Sequence, residues 1–180
     1  MSLIHNTDFQ WHLIRDNFLS TEECERAIKH IDNNIEKDNF TWGNLHKCQN
    51  VVTEDKKLLD KIWKVVNLSN TLTFKFDIEN IQQSFGKKYP LKKRHTDSPT
   101  LHSDFAAGGD NVVNTRTKIS SVIFLNDDYE GGELQIWNDV VESKQGRIVI
   151  FPAFAAHKVL EYYKKERYTM ITFIEGTPFK

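Results

Sequence analysis

The chain has 180 residues, of which 39% are hydrophobic, enough to bury one substantial core. Its 24 lysines and arginines nearly balance its 25 aspartates and glutamates, which argues against a nucleic-acid or anionic-membrane partner. No stretch approaches the roughly 18 consecutive apolar residues of a membrane helix, and the N-terminus lacks the pattern of a secretory signal. We therefore predict a single domain over residues 1–180 and a soluble, cytoplasmic protein, and leave its oligomeric state open.

Two amphipathic helices are predicted in the N-terminal part. Ser20 and Glu23 have the spacing of a capping box, and apolar residues then recur at helical intervals, which predicts a helix over about 21–36. A second helical face is predicted further along, with Thr53 as the candidate N-cap. The apolar residues of that second face are Leu58, Leu59, Ile62, Trp63 and Val66.

The rest of the chain is predicted to be rich in strands. From Thr71 to Ile78, apolar and polar residues alternate, which predicts the first strand after the helices. Short strands separated by turns favour a sandwich or barrel-like β-domain with the helices packed outside. The prediction is thus a helical part over about 18–70 and a β-core over about 71–176. Further strands are predicted at 99–105, 117–125, 132–137, 147–151, 156–162 and 167–175.

His102, Asp104 and His157 form a candidate metal site. Residues i and i+2 of a strand project from the same face, so His102 and Asp104 could reach one ion. His157 follows the apolar run IVIFPAFAA and is expected inside the same β-domain. Two imidazoles and one carboxylate on one face of a metal leave open positions, which suits an iron(II) ion that binds an organic chelate and oxygen.

Arg167 is the candidate anchor for a carboxylate. It begins the strand pattern RYTMITFIEG, and an arginine inside a β-domain needs a partner. Its planar guanidinium matches a carboxylate bidentately, and the distal carboxylate of 2-oxoglutarate would be such a partner. We predict that His157 and Arg167 lie on adjacent antiparallel strands joined by the turn YYKKE. The metal and the carboxylate anchor would then be one small-molecule length apart.

These motifs resemble the prolyl 4-hydroxylase-like branch of the iron(II)/2-oxoglutarate-dependent oxygenase superfamily. HSDF resembles the His-x-Asp-aromatic metal motif, GRIVIFPAFAAHKV the segment with the distal histidine, and RYTMITF the strand with the basic residue. The resemblance implies an α+β, mainly β fold: a double-stranded β-helix (jelly roll) core with N-terminal helices packed outside. It also implies that His102, Asp104 and His157 are the catalytic metal ligands and that Arg167 binds the far carboxylate of 2-oxoglutarate.

One departure from the family pattern concerns the co-substrate. Many members of the branch have a tyrosine immediately before the Leu-Asn that ends the strand after the metal motif, whereas this chain has Phe124. A hydroxyl donor to the co-substrate must then come from elsewhere or be absent.

A second His-x-Asp pair, His95 and Asp97, competes with His102 and Asp104 for the metal. Both pairs cannot fill one site. The aromatic Phe105 and the strand-like TLHSDF favour His102 and Asp104, whereas the shorter distance from the predicted strand IQQSFGKKY favours His95 and Asp97. We choose His102 and Asp104, and the choice predicts that Asp104→Ala and Asp97→Ala differ in their effect on iron binding.

The activity implied by the resemblance is a dioxygenase that hydroxylates a C–H bond and releases succinate and carbon dioxide. Its cofactors would be iron(II), 2-oxoglutarate and oxygen, with ascorbate as a further candidate requirement. A prolyl residue of a peptide or protein is the first substrate candidate, and a free amino acid or other small molecule is the alternative. A rival from another class is a non-enzymatic metal-binding jelly roll, although such a site has no use for a buried Arg167.

Overall fold

Two α-helices and eleven β-strands make up the parts of the chain that the computed structural model describes, namely residues 11–35, 48–89, 101–104 and 116–178. The helices are α1 (Thr21–Asn34) and α2 (Lys56–Ser69). The strands are β1 (Leu13–Arg15), β2 (Gln49–Val52), β3 (Ile78–Tyr89), β4 (Thr117–Phe124), β5 (Glu130–Gly131), β6 (Leu134–Ile136), β7 (Asp139–Val141), β8 (Ile148–Pro152), β9 (His157–Val159), β10 (Tyr162–Tyr163) and β11 (Arg167–Gly176). No helix within these ranges is both long and apolar enough to cross a bilayer.

The strands form two layers. Six of them make an antiparallel sheet with the order β1-β8-β4-β11-β3-β2, which we call the major sheet. The second layer, which we call the minor layer, consists of the three-stranded sheet β7-β6-β9 and the pair β10-β5. Apolar side chains from both layers share one buried cluster, so the two layers face each other. This is a jelly-roll core, and the predicted fold class, mainly β with the helices outside, is confirmed.

Helix α1 begins as the sequence predicts. The Ser20 hydroxyl accepts a hydrogen bond from the Glu23 backbone N–H at 3.3 Å, and the Ser20 N–H donates to the Glu23 carboxylate at 2.8 Å. Both halves of the capping box are therefore present, and each satisfies a backbone group that the first turn leaves open. Cys24 is fully buried on the inner face of the helix, and this burial raises the pKa of its thiol to about 11. Cys24 is therefore a buried thiol that packs in the core between the helix and the sheet.

Helix α2 begins two residues later than its predicted cap. The Asp55 carboxylate, and not the Thr53 hydroxyl, accepts hydrogen bonds from the backbone of Lys57 at 3.0 Å and of Leu58 at 3.2 Å. The predicted N-cap at Thr53 was wrong because Thr53 directly follows β2 and its backbone is still bonded to β3, where its N–H donates to the Ser84 carbonyl at 3.0 Å.

The predicted strand from Thr71 to Ile78 was also wrong, since only Ile78 belongs to a strand. Helix α2 continues into a π-helical turn, Asn70–Phe74, and β3 begins only at Ile78. The Asn70 side chain holds the turn, since it donates to the Phe76 carbonyl at 2.8 Å and accepts from the Phe76 N–H at 2.9 Å. The segment therefore forms a turn although its apolar residues alternate, because the hydrogen bonds of Asn70 outweigh the strand propensity of its neighbours.

Most of the other predicted strands are present with shifted ends. Those at 117–125, 147–151 and 167–175 correspond to β4, β8 and β11 of the major sheet. Those at 132–137 and 156–162 correspond to shorter strands, β6 and β9. In the segment 99–105 only residues 101–104 are described, and they form a single bridge at His102. The short strands β1, β2, β5 and β7 were not predicted.

The two faces of the major sheet have different covers. Helices α1 and α2 pack on one face, where a continuous apolar cluster contains Ile31, Ile62 and Ile174. Gly86 on β3 permits this approach, since a Cβ atom there would lie 2.5 Å from Cγ1 of Ile31. The minor layer covers the other face, and the candidate site lies between the two layers.

Candidate active site

Three side chains of the ligand type converge between the two layers. One potential ligand atom from each of His102, Asp104 and His157 lies within 4.8 Å of the others. His157 Nε2 is 3.6 Å from Asp104 Oδ2, and the two imidazole rings have centroids 4.4 Å apart. The structure thus brings together the three residues that the sequence singles out. His95, Asp97 and Phe105 lie outside the described residues.

Backbone pairing positions the two histidines. The His102 N–H donates to the His157 carbonyl at 3.0 Å, and the His157 N–H donates to the His102 carbonyl at 2.8 Å. Residues that exchange both hydrogen bonds in an antiparallel pair lie directly opposite and project their side chains to the same face. On its other side His157 is paired with Ile136 of β6. Residue 102 therefore extends the sheet β7-β6-β9 by one position next to β9.

Two further hydrogen bonds fix the orientation of the ligand-type groups. The Ala155 carbonyl lies 2.9 Å from His157 Nδ1, so Nδ1–H donates to it and Nε2 faces Asp104. The Ser120 hydroxyl donates to Asp104 Oδ2 at 2.6 Å. Sequence reasoning missed Ser120, because a serine on a strand carries no signal until its neighbours across the sheet are known.

His102, Asp104 and His157 line a cavity of about 130 Å³ between the layers. Arg167 lines the same cavity, as do hydroxyl, cationic and apolar side chains from both sheets. The lining residues are Phe85, Lys87, Tyr89, His102, Asp104, Val122, Leu134, His157, Val159, Arg167, Thr169, Ile171 and Phe173. The cavity is mainly apolar with a few convergent polar groups, as expected for a small-molecule site.

Arg167 is the largest fully buried side chain of the described residues, at 1% exposure. Its guanidinium carbon lies 4.8 Å from the ring centroid of Tyr89 and 5.7 Å from that of Phe124, distances at which a cation is attracted to an aromatic face. Gly132 leaves room for the side chain, because a Cβ atom there would lie 3.3 Å from Arg167 Cδ. The buried arginine is therefore held by aromatic rings and oriented into the cavity.

The predicted adjacency of His157 and Arg167 was wrong. His157 begins β9, which pairs with β6 in the minor layer, whereas Arg167 begins β11, which pairs with β3 and β4 in the major sheet. The segment between them does not make a tight turn, since β10 (Tyr162–Tyr163) pairs with β5 on the way. The chain thus crosses from one layer to the other, and both residues line the same cavity from different sheets.

Phe124 stands where many relatives have a tyrosine, and it is fully buried beside Arg167. Thr169 lies directly opposite Phe124 on β11, two residues after Arg167. The Thr169 hydroxyl is buried in the cavity wall and has no hydrogen-bond partner among the described residues. A hydroxyl is therefore present beside the arginine in spite of the phenylalanine, which sequence reasoning did not identify.

The donor set and the charges of the cavity fit iron(II) and 2-oxoglutarate. Two imidazole nitrogens and a carboxylate oxygen within reach of one point suit a divalent transition metal with open positions. Among the described lining residues, Asp104 is the only carboxylate, whereas Arg167 and Lys87 are cations. A dianionic co-substrate therefore meets a cavity of complementary charge.

Comparisons with known proteins agree with this fit. Residues 88–175 match the model of the 2OG-Fe(II) oxygenase superfamily. A PKHD-type hydroxylase of Alteromonas mediterranea is 33% identical over 97 residues, and one of Prochlorococcus marinus is 30% identical over 152 residues. These alignments cover 48% and 81% of this chain, but only 43% and 60% of the relatives.

The fold has a close counterpart among solved structures. The viral collagen prolyl hydroxylase of Paramecium Bursaria Chlorella virus-1, solved with 2-oxoglutarate, superposes with a TM-score of 0.71. The match covers 94% of this chain and 98% of the viral protein at 16% sequence identity. The chain is thus similar to the 2-oxoglutarate and iron(II) oxygenase superfamily in sequence over residues 88–175 and to one of its solved members in fold. Within that superfamily it is similar to the prolyl 4-hydroxylase-like branch, as the sequence motifs predict.

Proposed function

We propose that this protein is an iron(II)- and 2-oxoglutarate-dependent dioxygenase that hydroxylates a C–H bond and releases succinate and carbon dioxide. One observation carries the proposal: three ligand-type side chains and a buried arginine line the same cavity from opposite layers. The whole described assembly, from α1 to β11, would serve as one dioxygenase domain.

His102, Asp104 and His157 would hold the metal on one face and leave its other face open to the cavity. With iron(II), 2-oxoglutarate and oxygen bound, the metal centre supplies the oxidising chemistry, and the protein contributes positioning. Ser120 keeps the Asp104 carboxylate in place through its 2.6 Å hydrogen bond. The Ala155 carbonyl holds the His157 ring so that Nε2 faces the metal.

Arg167 would bind the distal carboxylate of 2-oxoglutarate. The rings of Tyr89 and Phe124 exclude water from the guanidinium, and a charged hydrogen bond is stronger where water is excluded. The metal ligands and Arg167 come mainly from different layers, so a co-substrate that reaches both must span the gap between them. This arrangement permits one orientation of 2-oxoglutarate, with its keto end toward the metal.

The first substrate candidate is a prolyl residue of a peptide or protein. Both curated relatives are named hydroxylases, and the viral structure is named a collagen prolyl hydroxylase. A free amino acid or another small molecule is the alternative substrate class. Neither a membrane nor a nucleic acid is proposed as a partner, in keeping with the balanced charge of the chain.

The proposal is tested by succinate formation. The protein is incubated with iron(II), ascorbate, oxygen and 2-oxoglutarate, with and without proline-containing peptides, and succinate is quantified. We expect succinate from the wild type, little from His157→Ala, and wild-type amounts from His30→Ala, which removes an exposed histidine on α1. Folded, metal-loaded protein that gives no succinate with any substrate would overturn the enzymatic proposal.

The rival, a non-enzymatic metal-binding jelly roll, is distinguished by equilibrium binding. Calorimetry with manganese(II) in place of iron(II), in the absence of oxygen, measures the affinity for 2-oxoglutarate without turnover. We expect binding that depends on the metal and on Arg167. Tight metal binding without any binding of 2-oxoglutarate would favour the rival.

A further inference from the structure

The wall of the cavity that β3, β11 and β4 form changes in polarity along the strands. Residues that lie directly opposite each other on neighbouring strands project from the same face of the sheet, so the wall consists of rows across the three strands. The row two residues after Arg167 contains Lys87, Thr169 and Phe124. The wall is therefore polar at the end where the co-substrate carboxylate would bind.

The next row is apolar. It consists of Phe85, Ile171 and Val122, all of which line the cavity. Phe85 is 4% exposed, and its ring packs edge to face against that of Phe173 with the centroids 6.3 Å apart. Such pairs are favourable because the positive edge of one ring meets the negative face of the other. The two phenylalanines thus form one aromatic surface inside the cavity.

Phe173 marks the metal end of this wall. It lies directly opposite Ser120 on β4, and the Ser120 hydroxyl donates to Asp104 at 2.6 Å. Phe173 is also six residues after Arg167 on the same strand, which corresponds to about 20 Å of extended backbone. A five-carbon molecule such as 2-oxoglutarate does not cover that length. The aromatic surface therefore lies beyond the co-substrate, where a substrate must approach the metal.

The metal end of the wall is also its more accessible end. Phe173 is partly exposed, whereas Thr169 is fully buried. Gln83, which lies directly opposite Phe173 on β3, is exposed. An apolar ring that faces a cavity and still contacts water gains free energy when an apolar ligand covers it. A substrate that enters from this end would meet Phe173 on its way to the metal.

Charged groups of the described residues are placed elsewhere or are already engaged. Among the described residues that line the cavity, the cations Lys87 and Arg167 belong to the other end, and Asp104 is a candidate metal ligand. Glu175, further along β11, is paired with Arg116 at 3.3 Å. A charged group placed against two phenylalanine rings would lose its hydration without gaining a partner, which is strongly unfavourable. An apolar group at the same place gains from leaving water.

We propose that Phe85 and Phe173 bind the part of the substrate that is hydroxylated and select an uncharged aliphatic ring or side chain over a charged one. The C–H bond that the enzyme attacks then belongs to a group such as the ring of proline or the side chain of leucine, and not to the side chain of aspartate or lysine. This inference rests on the proposed function and narrows its substrate class.

Four matched peptides test this preference without turnover. They are acetyl-glycyl-X-glycinamides with proline, leucine, aspartate or lysine at X. Calorimetry measures their affinities for the manganese(II) protein saturated with 2-oxoglutarate, in the absence of oxygen. We expect the proline and leucine peptides to bind at least about tenfold more tightly than the two charged peptides, because burial of an apolar side chain corresponds to roughly that factor or more.

Substitutions of Phe173 separate substrate selection from a structural role. Phe173→Ala should weaken binding of the proline and leucine peptides about tenfold and leave the affinity for 2-oxoglutarate unchanged. Phe173→Leu retains an apolar contact and should retain most of the preference. Phe173→Lys should raise the affinity for the aspartate peptide, an effect that misfolding cannot produce. Phe76→Ala, at a partly exposed phenylalanine that packs on the helix face, is the control and should have no effect.

Three results would overturn the inference. One is binding of the charged peptides by the wild type that is equal to or tighter than that of the apolar ones, and another is no binding of any of the four peptides. The third is a Phe173→Ala variant that loses affinity for 2-oxoglutarate itself, which would assign Phe173 to the co-substrate. In each case 2-oxoglutarate still binds to the wild type, so the proposed function stands. Failure of 2-oxoglutarate to bind the wild type would instead contradict the proposed function.

Discussion

The two faces of strand β11 both carry hydroxyl groups, but these groups differ in their hydrogen bonding. On the helix face, the Tyr168 hydroxyl lies 2.9 Å from an Asp32 oxygen and 3.0 Å from a Glu166 oxygen, in the same group as Lys88. On the cavity face, the Thr169 hydroxyl is buried without a hydrogen bond to the described residues. One strand thus separates a satisfied polar network from polar groups that are directed into a cavity.

This difference separates structural from functional use of polar side chains. Tyr168 and Lys88 on the helix face complete their hydrogen bonds within the chain, and they contribute to stability whether or not a ligand is present. Polar groups on the cavity face remain available to a ligand. Their unsatisfied hydrogen bonds lower the stability of the protein, and interactions elsewhere in the fold compensate for this loss. Substitutions on the cavity face should therefore reduce activity and spare stability, whereas substitutions on the helix face should do the reverse.

The largest effect on the cavity face is expected from Asp104→Ala. Loss of a metal ligand should reduce succinate formation about 100-fold or more, since even partners behind the ligands contribute 10–100-fold. Iron binding, measured by calorimetry with manganese(II), should collapse, while the unfolding midpoint stays close to that of the wild type. Asp97→Ala is the matched control and should bind metal normally. If the two variants exchanged these behaviours, the metal motif would be His95 and Asp97.

The next largest effect is expected from Arg167→Met. The variant keeps a long side chain between Tyr89 and Phe124 but removes the anchor for the distal carboxylate. Removal of one member of a buried charge pair costs about 2–5 kcal/mol, so the Kd for 2-oxoglutarate should rise at least about 30-fold with metal binding unchanged. Arg147→Met is the control, because Arg147 pairs with Asp16 at the surface. A variant at Arg167 with normal 2-oxoglutarate affinity would contradict its proposed role.

The sequence predicted residues of the site better than the connections between them. His102, Asp104, His157 and Arg167 could be chosen as candidates because each has a distinctive side chain in a recognisable motif, and the structure places all four around one cavity. The arrangement of His157 and Arg167 on different sheets could not be predicted, because strand pairing over long distances leaves no mark in a local pattern.

The residues that support the site were harder to predict. Ser120, Thr169 and Lys87 belong to common types, and their roles depend on which residue lies opposite in the sheet. The register that creates these neighbours is fixed by the whole fold and not by the local sequence. The starts of the two helices were predicted with mixed success. The capping box at Ser20 is a local motif, and the start of α1 was predicted correctly from it. The sequence did not distinguish Thr53 from Asp55 as the N-cap of α2.

On the helix face, Ile62→Ala should cause the largest loss of stability. Ile62 is fully buried in the cluster between the helices and the major sheet. Truncation of such a side chain leaves a cavity and costs about 2–5 kcal/mol of unfolding free energy, which urea unfolding measures. Succinate formation per folded molecule should remain near the wild-type value. Leu68→Ala, on the exposed side of α2, should change stability by less than about 0.5 kcal/mol. A large loss of activity in folded Ile62→Ala would contradict the separation of the two faces.

The smallest effect concerns the start of α2 and compares Asp55 with Thr53. Asp55→Ala removes the acceptor for two backbone N–H groups of the first turn, and loss of an N-cap costs about 1 kcal/mol. Thr53→Val keeps the shape of the side chain and the backbone N–H that donates to Ser84, so it should cost clearly less. Urea unfolding measures both, and the affinity for 2-oxoglutarate should stay unchanged because the cap lies on the helix face. If Thr53→Val were the more destabilising of the two, the helix would be capped as the sequence pattern predicts.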